Sequence, residues 1–520
     1  MSATKAMPKA RAATRARGAP AGGSLLGAAV LVTAVTVLPI VVVLVTALSQ
    51  GGSEVIAQVV RPRIGELLRN TVALVVLATG ACAALGTGAA WLVERTRLPG
   101  AGWWRAALVA PLAVPAFVNA YAWVSLRPSM TGLTGAVLIT TLSYFPFVFL
   151  PVSAALRGLD RSWEDTARSL GLGPWRAFAR IVLPQLRPAL LGGCLLVALH
   201  LLAEFGVLAM LRFPTFTTAI LDQYEAAFDT GTGSMLAVVL IGLCAAVLAV
   251  EHLWRGRRGH ARIGSGVIRR PEPRPLGWWF TPSLAALTLL VALALGVPAY
   301  SLGRWLAAPT AALDGAGLAT ALGSTIALAV AAAAASCVAA FPVALLLRQR
   351  QTPVTTAIER LCYLTSSLPG VVVGLALVTL AIRWLTGLYQ SATLLVVAYT
   401  VLFLPRALIS IRAALAQAPT PLLEAARALG DSPWRAVRRV VVPLALPGIL
   451  AGFALVFIAT TTELTATLLL APTGTSTLAT GFWEASSTLD YGAAAPYAVT
   501  MVILSAPMTW LVLRKRAVTP

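Results

Sequence analysis

The 520-residue chain has few charged residues and very few lysines. Asp, Glu, Lys and Arg together make up 11% of the residues, whereas 58% are hydrophobic and the mean hydropathy is +0.83. This composition excludes a soluble protein of this size, because runs of about 20 apolar residues cross a bilayer as helices. The three lysines are Lys5, Lys9 and Lys515, and none follows a glycine. A P-loop needs G-K-[ST] so that its lysine reaches the phosphates, so P-loop ATP hydrolysis by this chain is also excluded.

Cysteine and the common catalytic signatures are scarce as well. The five cysteines lie in or beside apolar segments and form no C-x-x-C pair. They are typical of small buried hydrophobic side chains rather than of disulfides or metal ligands. The sequence contains neither H-E-x-x-H nor G-x-S-x-G. It therefore predicts no metal site, no bound cofactor and no enzymatic activity in this chain.

Apolar sequence is abundant and falls into twelve predicted spans of bilayer length. Those of the first half lie near 25–48, 68–92, 104–126, 131–153, 188–211 and 233–253, and those of the second half near 279–303, 321–347, 361–385, 391–411, 447–470 and 493–513. An even number of spans in each half gives both halves the same orientation. The predicted fold is an all-α integral membrane protein with about twelve transmembrane helices in two parallel six-helix repeats.

Arginine supplies most of the basic charge and is concentrated outside the spans. Basic clusters lie in the N-terminal tail, between the sixth and seventh spans, and at the C-terminal end. The positive-inside rule places all three in the cytoplasm. The predicted parts are a basic cytoplasmic tail (1–24), a first transmembrane domain (25–254), a cytoplasmic linker (255–277) and a second transmembrane domain (278–516). A net charge of +21 can indicate nucleic-acid binding, but arginines in short loops between apolar runs favour orientation signals, so no nucleic-acid partner is expected.

One polar, arginine-rich segment occurs twice. The first segment, Asp165–Gly193, and the second segment, Glu424–Gly452, align without a gap at an offset of 259 residues, and 14 of their 29 positions are identical. Both begin in predicted cytoplasmic loops, after the fourth and tenth spans. A duplicated polar loop with fixed internal spacing favours a docking surface that is presented twice. The alternative is a pair of amphipathic helices at the lipid interface, where Arg and Trp are common.

The second segment predicts two short helices joined by a tight turn. Gly430 is expected to stop the first helix in a left-handed conformation, as Gly171 does in the first segment. Ser432 is a suitable N-cap for the next helix, and Pro443 is expected to end it. The small side chain of Ala426 is expected to let another surface approach closely. These helices and their turn form the predicted docking element.

The same residues carry a resemblance to a known family. The pattern E-A-A, then Gly, then a Pro about thirteen residues later resembles the cytoplasmic coupling-loop motif of binding-protein-dependent ABC importer permeases. The matching positions are Glu424, Ala425, Ala426, Gly430 and Pro443 in the second segment, and Asp165, Ala167, Gly171 and Pro184 in the first. The first segment departs from the motif at its first two positions, Asp165 and Thr166. The resemblance covers nearly the whole chain.

The resemblance implies a type I importer fold and a division of labour between polypeptides. In that family the loop docks on an ATPase subunit, which uses ATP and Mg. Two loops in one chain imply two ATPase copies and both halves of the pathway, and a periplasmic or lipid-anchored solute-binding protein is implied as a further partner. The implied location is a bacterial inner membrane, crossed several times and surrounded by lipid, with both termini cytoplasmic.

Two of the nineteen acidic residues, Glu204 and Glu463, lie well inside predicted spans, and they are also 259 residues apart. A carboxylate in a bilayer is costly unless it is paired or faces water. His200 precedes Glu204 by four residues and is expected on the same helical face. One interpretation is a polar translocation pathway for a cation, and the other is hydrogen bonding that holds the helices together. A His–Glu metal site is disfavoured, because Ala459 occupies the histidine position in the second half.

The substrate follows from resemblance alone. The stretch 463–470 and the following 475–483 resemble the ferric-iron branch of these permeases, which commonly fuses two halves in one chain. Thr465 stands where that branch often has proline, and Ala471 where it often has a basic residue. Importers of thiamine, phosphonate or another small solute share the layout. The alternative from another class is a proton-coupled secondary transporter with a His200–Glu204 relay, although it would not require two docking loops.

Overall fold

The computed structural model describes most of the membrane-embedded chain. The described residues are 22–49, 61–159, 169, 171, 173, 176, 178–225, 229–255, 273, 275–308, 314–349, 352–365, 368–417 and 419–518. Most of the predicted basic tail and of the predicted linker lies outside these ranges. The predicted domain boundaries therefore stay predictions.

The described residues form helices joined by short turns. The first half contains α1 (Gly22–Leu48), α2 (Pro62–Arg95), α3 (Ala101–Val109), α4 (Ala116–Leu126), α5 (Gly132–Tyr144), α6 (Pro146–Gly158), α7 (Leu183–Ala203), α8 (Gly206–Met210), α9 (Phe216–Glu225) and α10 (Thr230–Arg255). The second half contains α11 (Phe280–Val291), α12 (Val297–Leu306), α13 (Gly315–Gln349), α14 (Pro353–Leu364), α15 (Gly370–Trp384), α16 (Ala392–Gln417), α17 (Thr420–Ala428), α18 (Pro433–Ala436), α19 (Val442–Thr461), α20 (Thr465–Leu470), α21 (Leu478–Ser487) and α22 (Tyr491–Val518). No β-strand is present in the described ranges, and the all-α prediction is confirmed.

The apolar helices follow the predicted spans, with a marked deviation in the third span. Within the described residues, nine helices are long and apolar enough to cross a membrane, and the pair Ala101–Ala113 and Ala116–Leu126 makes a tenth if its two helices form one span. These two helices are bent by 88° at Pro115, where the sequence predicts one span. The shorter apolar helices α15 and Tyr491–Ala506 occupy the positions of the remaining two predicted spans. A multi-pass helical fold is thus established, while the number twelve stays a prediction.

The first helix of each half packs against the other half. α1 lies against α13, α14 and α15, and Thr33 Oγ1 is 3.6 Å from Cys362 Sγ there. In return, α12 lies against α4, and the hydroxyls of Ser125 and Ser301 are hydrogen-bonded at 2.8 Å. The two sequence repeats therefore interlock. Helices from both halves line the interface between them.

Equivalent threonines accept a hydrogen bond from the start of one helix in each half. The two helices, α9 in the first half and α21 in the second, are called the outer helices below. The N–H of Phe216, at the start of α9, donates to Thr71 Oγ1 at 3.4 Å. The N–H of Leu478, at the start of α21, donates to Thr325 Oγ1 at 2.9 Å. Both threonines are buried. The contact is repeated in the two halves but is shorter in the second.

Each half also carries a glutamate–arginine pair close to its repeated segment, with the charges placed differently. The Glu94 side chain is 2% exposed and accepts hydrogen bonds from Arg105 at 2.8 and 3.0 Å and from the Ser153 hydroxyl at 2.6 Å. The second-half residue equivalent to Arg105, at an offset of 254, is Glu359. Glu359 pairs with Arg412, and its side chain is 26% exposed. The repeats thus keep an ionic contact while exchanging which helix supplies the acid.

Candidate functional site

The turn in the second segment has the geometry that its sequence predicts. Gly430 follows the end of α17 with a φ of +95°. The N–H groups of Gly430 and Asp431 donate back to the carbonyls of Arg427 and Ala426 at 3.0 and 3.1 Å. These are the two reversed hydrogen bonds of a Schellman motif. Ser432 caps α18 through its hydroxyl, also as predicted.

The first segment repeats the left-handed glycine. Gly171 has a φ of +79°. A Cβ added at Gly171 or at Gly430 would meet no atom within 4 Å. The positive φ, rather than tight packing, is therefore what requires glycine at both positions. Asp165 and Ala167 lie outside the described residues.

The second segment exposes residues on both sides of Ala426. Ala426 itself is 9% exposed, and its carbonyl accepts the N–H of Asp431 in the turn. Glu424 and Ala425 are exposed. Beside them, α17, the turn and α18 expose large apolar side chains: Leu422 (48%), Leu429 (89%) and Trp434 (67%). An apolar patch of this kind is typical of a surface that binds a partner.

The prolines of the repeated segments do not end helices, so the prediction for Pro443 is wrong. A π-helical turn, Val437–Val441, leads directly into α19, and Phe178–Val182 does the same before α7. Proline lacks an N–H, and its ring would clash with the carbonyl four residues earlier in a regular helix. The wider π turn removes this clash, so the chain runs through Pro443 and Pro184 without stopping. Pro433–Thr461 is consequently one helical unit.

Glu204 and Glu463 lie at breaks and not inside spans, which corrects the predicted spans 188–211 and 447–470. The first break is 204–205, between α7 and α8, and the second break is 462–464, between α19 and α20. The backbone of Glu204 is extended, with φ −73° and ψ 128°. Apolar composition continues through both breaks, so hydropathy does not reveal them.

Each carboxylate caps the short helix that follows its break. Glu204 Oε1 accepts the N–H of Val207 at 3.1 Å, and Glu463 Oε1 accepts the N–H of Ala466 at 2.9 Å. The N–H groups at the start of a helix stabilise a carboxylate. Both glutamates therefore stabilise the backbone at their own break, while the two sequence interpretations, a cation pathway and hydrogen bonding between helices, stay predictions. Both residues are half-buried.

At the first break, the glutamate lies among aromatic side chains. The Tyr144 hydroxyl donates a hydrogen bond to Glu204 Oε2. The His200 ring lies 5.7 Å from the Tyr144 ring and 4.4 Å from the Phe147 ring, between centroids. The structure thus brings His200 to the tyrosine that contacts Glu204. The sequence does not predict a functional role for Tyr144, because a single tyrosine in an apolar run belongs to no recognisable motif.

At the second break, an arginine lies on a neighbouring helix. Arg406 belongs to α16, which packs against α20, and adds positive charge to the surroundings of Glu463 and of His200 in the other half. Its guanidinium lies 5.0 Å from the Phe403 ring. Gly370 leaves room for the carboxylate, since a Cβ there would come within 2.6 Å of Glu463 Oε1. Arg406 could have been found from the sequence, because an arginine within a predicted span is rare.

The two breaks meet between the halves. Each break lies beside the residues that follow the other glutamate. Next to the breaks, Phe205 lies 5.2 Å from Trp483, and Gly206 is packed against Leu464. Polar and ionisable groups from both halves therefore converge in one region of the membrane domain. Such groups within a bilayer typically face one another or a water-filled cavity.

Comparison with known proteins reproduces the internal duplication. Residues 80–253 and 336–514 each match the model of the binding-protein-dependent transport system inner membrane component. The Fe(3+)-transport system permease protein FbpB 2 of Haemophilus influenzae is 36% identical over 473 residues, covering 90% of this chain and 93% of that protein. The sulfate transport system permease protein CysW of Synechocystis sp. is 27% identical over 255 residues, covering 44% of this chain and 89% of that protein. The molybdenum transport system permease protein ModB of Escherichia coli is 28% identical over 198 residues, covering 34% of this chain and 86% of that protein.

The family matches and the full-length similarity agree with the helical, multi-pass fold and with the repeated segments. The chain therefore belongs to the family of binding-protein-dependent transport system inner membrane components, as a multi-pass permease that contains the family domain twice.

Proposed function

We propose that this chain is the permease subunit of an ATP-driven ABC importer of ferric iron. The ferric relative matches both halves, over nine-tenths of the chain, whereas the sulfate and molybdenum relatives match less than half of it. The ferric relative thus resembles this chain over both family domains. This supports iron over the other substrates that the family transports.

The observation that carries the proposal is the meeting, between the halves, of two breaks that each carry a carboxylate. Glu204 and Glu463 are half-buried and lie where membrane helices are broken. Carboxylate oxygens suit hard, highly charged cations. Broken helices in transporters characteristically bind the transported ion. We therefore assign these residues, with His200, to the translocation pathway.

The helices that end at the breaks begin at the repeated segments, which supports a coupling role for the segments. Pro433–Thr461 runs without interruption from the second segment to the second break. Arg180–Ala203 makes the equivalent connection in the first half. Because a helix moves as a rigid element, a displacement of the segment by a docked ATPase would move the helix end beside Glu463 or Glu204. The coupling contacts are the motif positions Asp165, Ala167, Gly171, Pro184, Glu424, Ala425, Ala426, Gly430 and Pro443, with Leu429 and Trp434 added by their exposure.

The proposal assigns the chemistry of ATP to partner subunits. One ATPase docks on each repeated segment, so the importer contains two copies, which bind ATP and Mg. The permease itself binds no cofactor and no nucleic acid and catalyses no reaction. A periplasmic or lipid-anchored solute-binding protein delivers the cation from the opposite side.

Reconstituted transport tests the function. The permease, its ATPase and its binding protein are placed in proteoliposomes, and uptake of ⁵⁵Fe(III) is followed with and without ATP. We expect uptake that requires ATP and the binding protein and that excess molybdate or sulfate does not inhibit. Uptake driven by a pH gradient without ATP would instead identify a proton-coupled secondary transporter. Uptake of thiamine or a phosphonate in place of iron would contradict the substrate.

Cysteine labelling tests the orientation. Ser432 and Gly173 are exposed residues of the second and first segments. Cysteines at these positions should react with a membrane-impermeant reagent in inverted vesicles and not in intact cells. Labelling of either from outside would contradict a cytoplasmic location of the segments and, with it, of both termini.

A further inference from the structure

Three different donor groups converge at the first break. The Tyr144 hydroxyl contacts Glu204, and the His200 ring lies against the Tyr144 ring. His200 Nδ1 is 2.8 Å from the Leu196 carbonyl oxygen, which can only accept, so Nδ1 carries the proton. The lone pair of the imidazole is then on Nε2. A phenol and a carboxylate are thus in contact, and an imidazole ring packs beside the phenol.

The phenol is what completes this set. Among the described residues, no group of three or more His, Cys, Asp and Glu side chains is placed to hold a metal ion. With Tyr144 included, the first break has three ligating side chains, two of which offer oxygen. Oxygen donors suit hard cations, and phenolate and imidazole both bind iron in proteins. The hydroxyl already donates toward a carboxylate, so its proton lies where a metal ion would replace it.

The second break has only one of the three metal-binding side chains found at the first break. At the offset of 259 residues, Tyr144 becomes Phe403 and His200 becomes Ala459, while Glu204 remains as Glu463. Phe147 becomes Arg406, which brings a positive charge to the second half. A cation therefore meets three donor side chains on one side of the pathway and a carboxylate with an arginine nearby on the other. The symmetry of the two glutamates does not extend to their chemistry.

We propose that Tyr144, Glu204 and His200 form a transit site for a trivalent cation, so that at this point of the pathway the ion is bound by side chains of the first half. The proposal rests on the ferric-importer function. On binding, the Tyr144 oxygen–hydrogen bond breaks, the proton leaves to water, and the phenolate, the ionised Glu204 and His200 Nε2 coordinate Fe(III) without a change of oxidation state. Ligands that must deprotonate release protons in this way.

The charge around the site suits transit rather than storage. Arg406 lies 5.0 Å from the Phe403 ring, in the second-half position equivalent to Phe147, and its positive charge disfavours a bound cation nearby. Three protein ligands also leave coordination positions of an iron ion to water. A pathway site must bind its ion strongly enough to admit it and weakly enough to release it. The nearby arginine sets this balance.

Spectroscopy on the purified transporter tests the site directly. Fe(III), supplied as its nitrilotriacetate complex, is titrated into the complete transporter, and the visible phenolate-to-iron charge-transfer band is recorded. We expect a band in the natural protein, none in Tyr144→Phe, and a loss of Fe(III) affinity of about tenfold or more in Glu204→Gln and His200→Ala. Tyr399→Phe is the matched control, since Tyr399 is a buried tyrosine of the second half that is hydrogen-bonded to Thr467. It should keep the band.

Transport in the same preparations separates this proposal from the function. We expect ATP-driven iron uptake to fall at least about tenfold in Tyr144→Phe, the loss expected on removal of one metal ligand. If Tyr144→Phe does not fold, His200→Ala decides, because it introduces the residue that the second half naturally carries. Absence of uptake in the natural protein would count against the ferric-importer function. Normal uptake and an unchanged band in the variants, alongside iron uptake by the natural protein, would overturn the transit site alone.

Discussion

The two breaks in the membrane helices have the same glutamate capping contact, but the side chains around the two glutamates differ. At each break a glutamate caps the short helix that follows, with contacts of 3.1 and 2.9 Å. Around Glu204 lie a tyrosine and a histidine, and around Glu463 lies an arginine. The shared contact maintains the break, because the first N–H groups of the short helix need an acceptor. The groups that differ are those that can meet a substrate.

This difference shows what the duplication has retained. The left-handed glycines, the π turns, the capping glutamates and the threonines under the outer helices occur in both halves. All of them determine the path of the backbone. The residues that face the space between the halves, and the placement of the glutamate–arginine pairs, are not retained. A fused chain allows this divergence, since each position occurs once in every assembled molecule.

The largest stability difference between the halves is expected for the glutamate–arginine pairs. Glu94→Gln leaves the half-exposed Arg105 and the Ser153 hydroxyl beside a neutral group, and loss of a buried, charge-assisted hydrogen bond costs about 2 kcal/mol. Glu359→Gln should cost about 1 kcal/mol or less, because that pair is more exposed. The midpoint of thermal unfolding in detergent measures both. Equal shifts would show that the exchanged charges are energetically equivalent.

The importance of the two repeated segments for transport can be compared by replacing the left-handed glycine of each. Valine at Gly430 or Gly171 must adopt a positive φ, which costs about 1–3 kcal/mol. We expect ATP-driven uptake to fall by about tenfold in Gly430→Val, since 1.4 kcal/mol corresponds to a factor of ten, and less in Gly171→Val, whose segment departs from the motif.

The controls lie in the same turns. Gly430→Asn should transport normally, because asparagine tolerates the left-handed region. Gly173→Val should also be neutral, since Gly173 lies in open space without a positive φ. Normal uptake and normal ATPase binding in the Gly171→Val, Gly430→Val double variant would contradict docking through these segments.

The smallest difference is expected for the threonines that anchor the outer helices. Thr325→Val removes a 2.9 Å hydrogen bond to the backbone, and Thr71→Val removes a longer one of 3.4 Å. Leaving a buried N–H without an acceptor costs about 1 kcal/mol or more, so Thr325→Val should lower the unfolding midpoint further. Serine at either position keeps the hydroxyl and serves as the control. A larger effect of Thr71→Val would reverse this ranking.

Periodic and repeated features of the sequence predict most of the fold. Apolar run length gives the membrane helices, and the spacing of Gly171 and Gly430 gives the turns, because glycine is required wherever φ is positive. The bend at Pro115 and the breaks at the glutamates were missed. Hydropathy reports composition over a window and not backbone direction.

The candidate site was predictable only in part. Glu204 and Glu463 stood out because acids are rare in apolar segments. Arg406 carries the same signal but was not singled out. Tyr144 has no sequence signal of its own, since its contact with Glu204 joins positions 60 residues apart. Such a contact depends on how α5 and α7 pack.

The most direct test compares Glu204→Gln with Glu463→Gln for both uptake of Fe(III) and unfolding midpoint. Glutamine keeps one oxygen, which can still cap each short helix, and replaces the other oxygen and the charge with an amide NH2 group. For Glu204→Gln we expect an unchanged midpoint and uptake reduced by about tenfold, because a ligand of the cation is lost. For Glu463→Gln we expect a lower midpoint, because Arg406 loses a nearby negative charge, and recovery in the double variant with Arg406→Phe, which restores the first-half residue. Equal losses of uptake at an unchanged midpoint, without rescue by Arg406→Phe, would contradict the claim that the two halves use their glutamates differently.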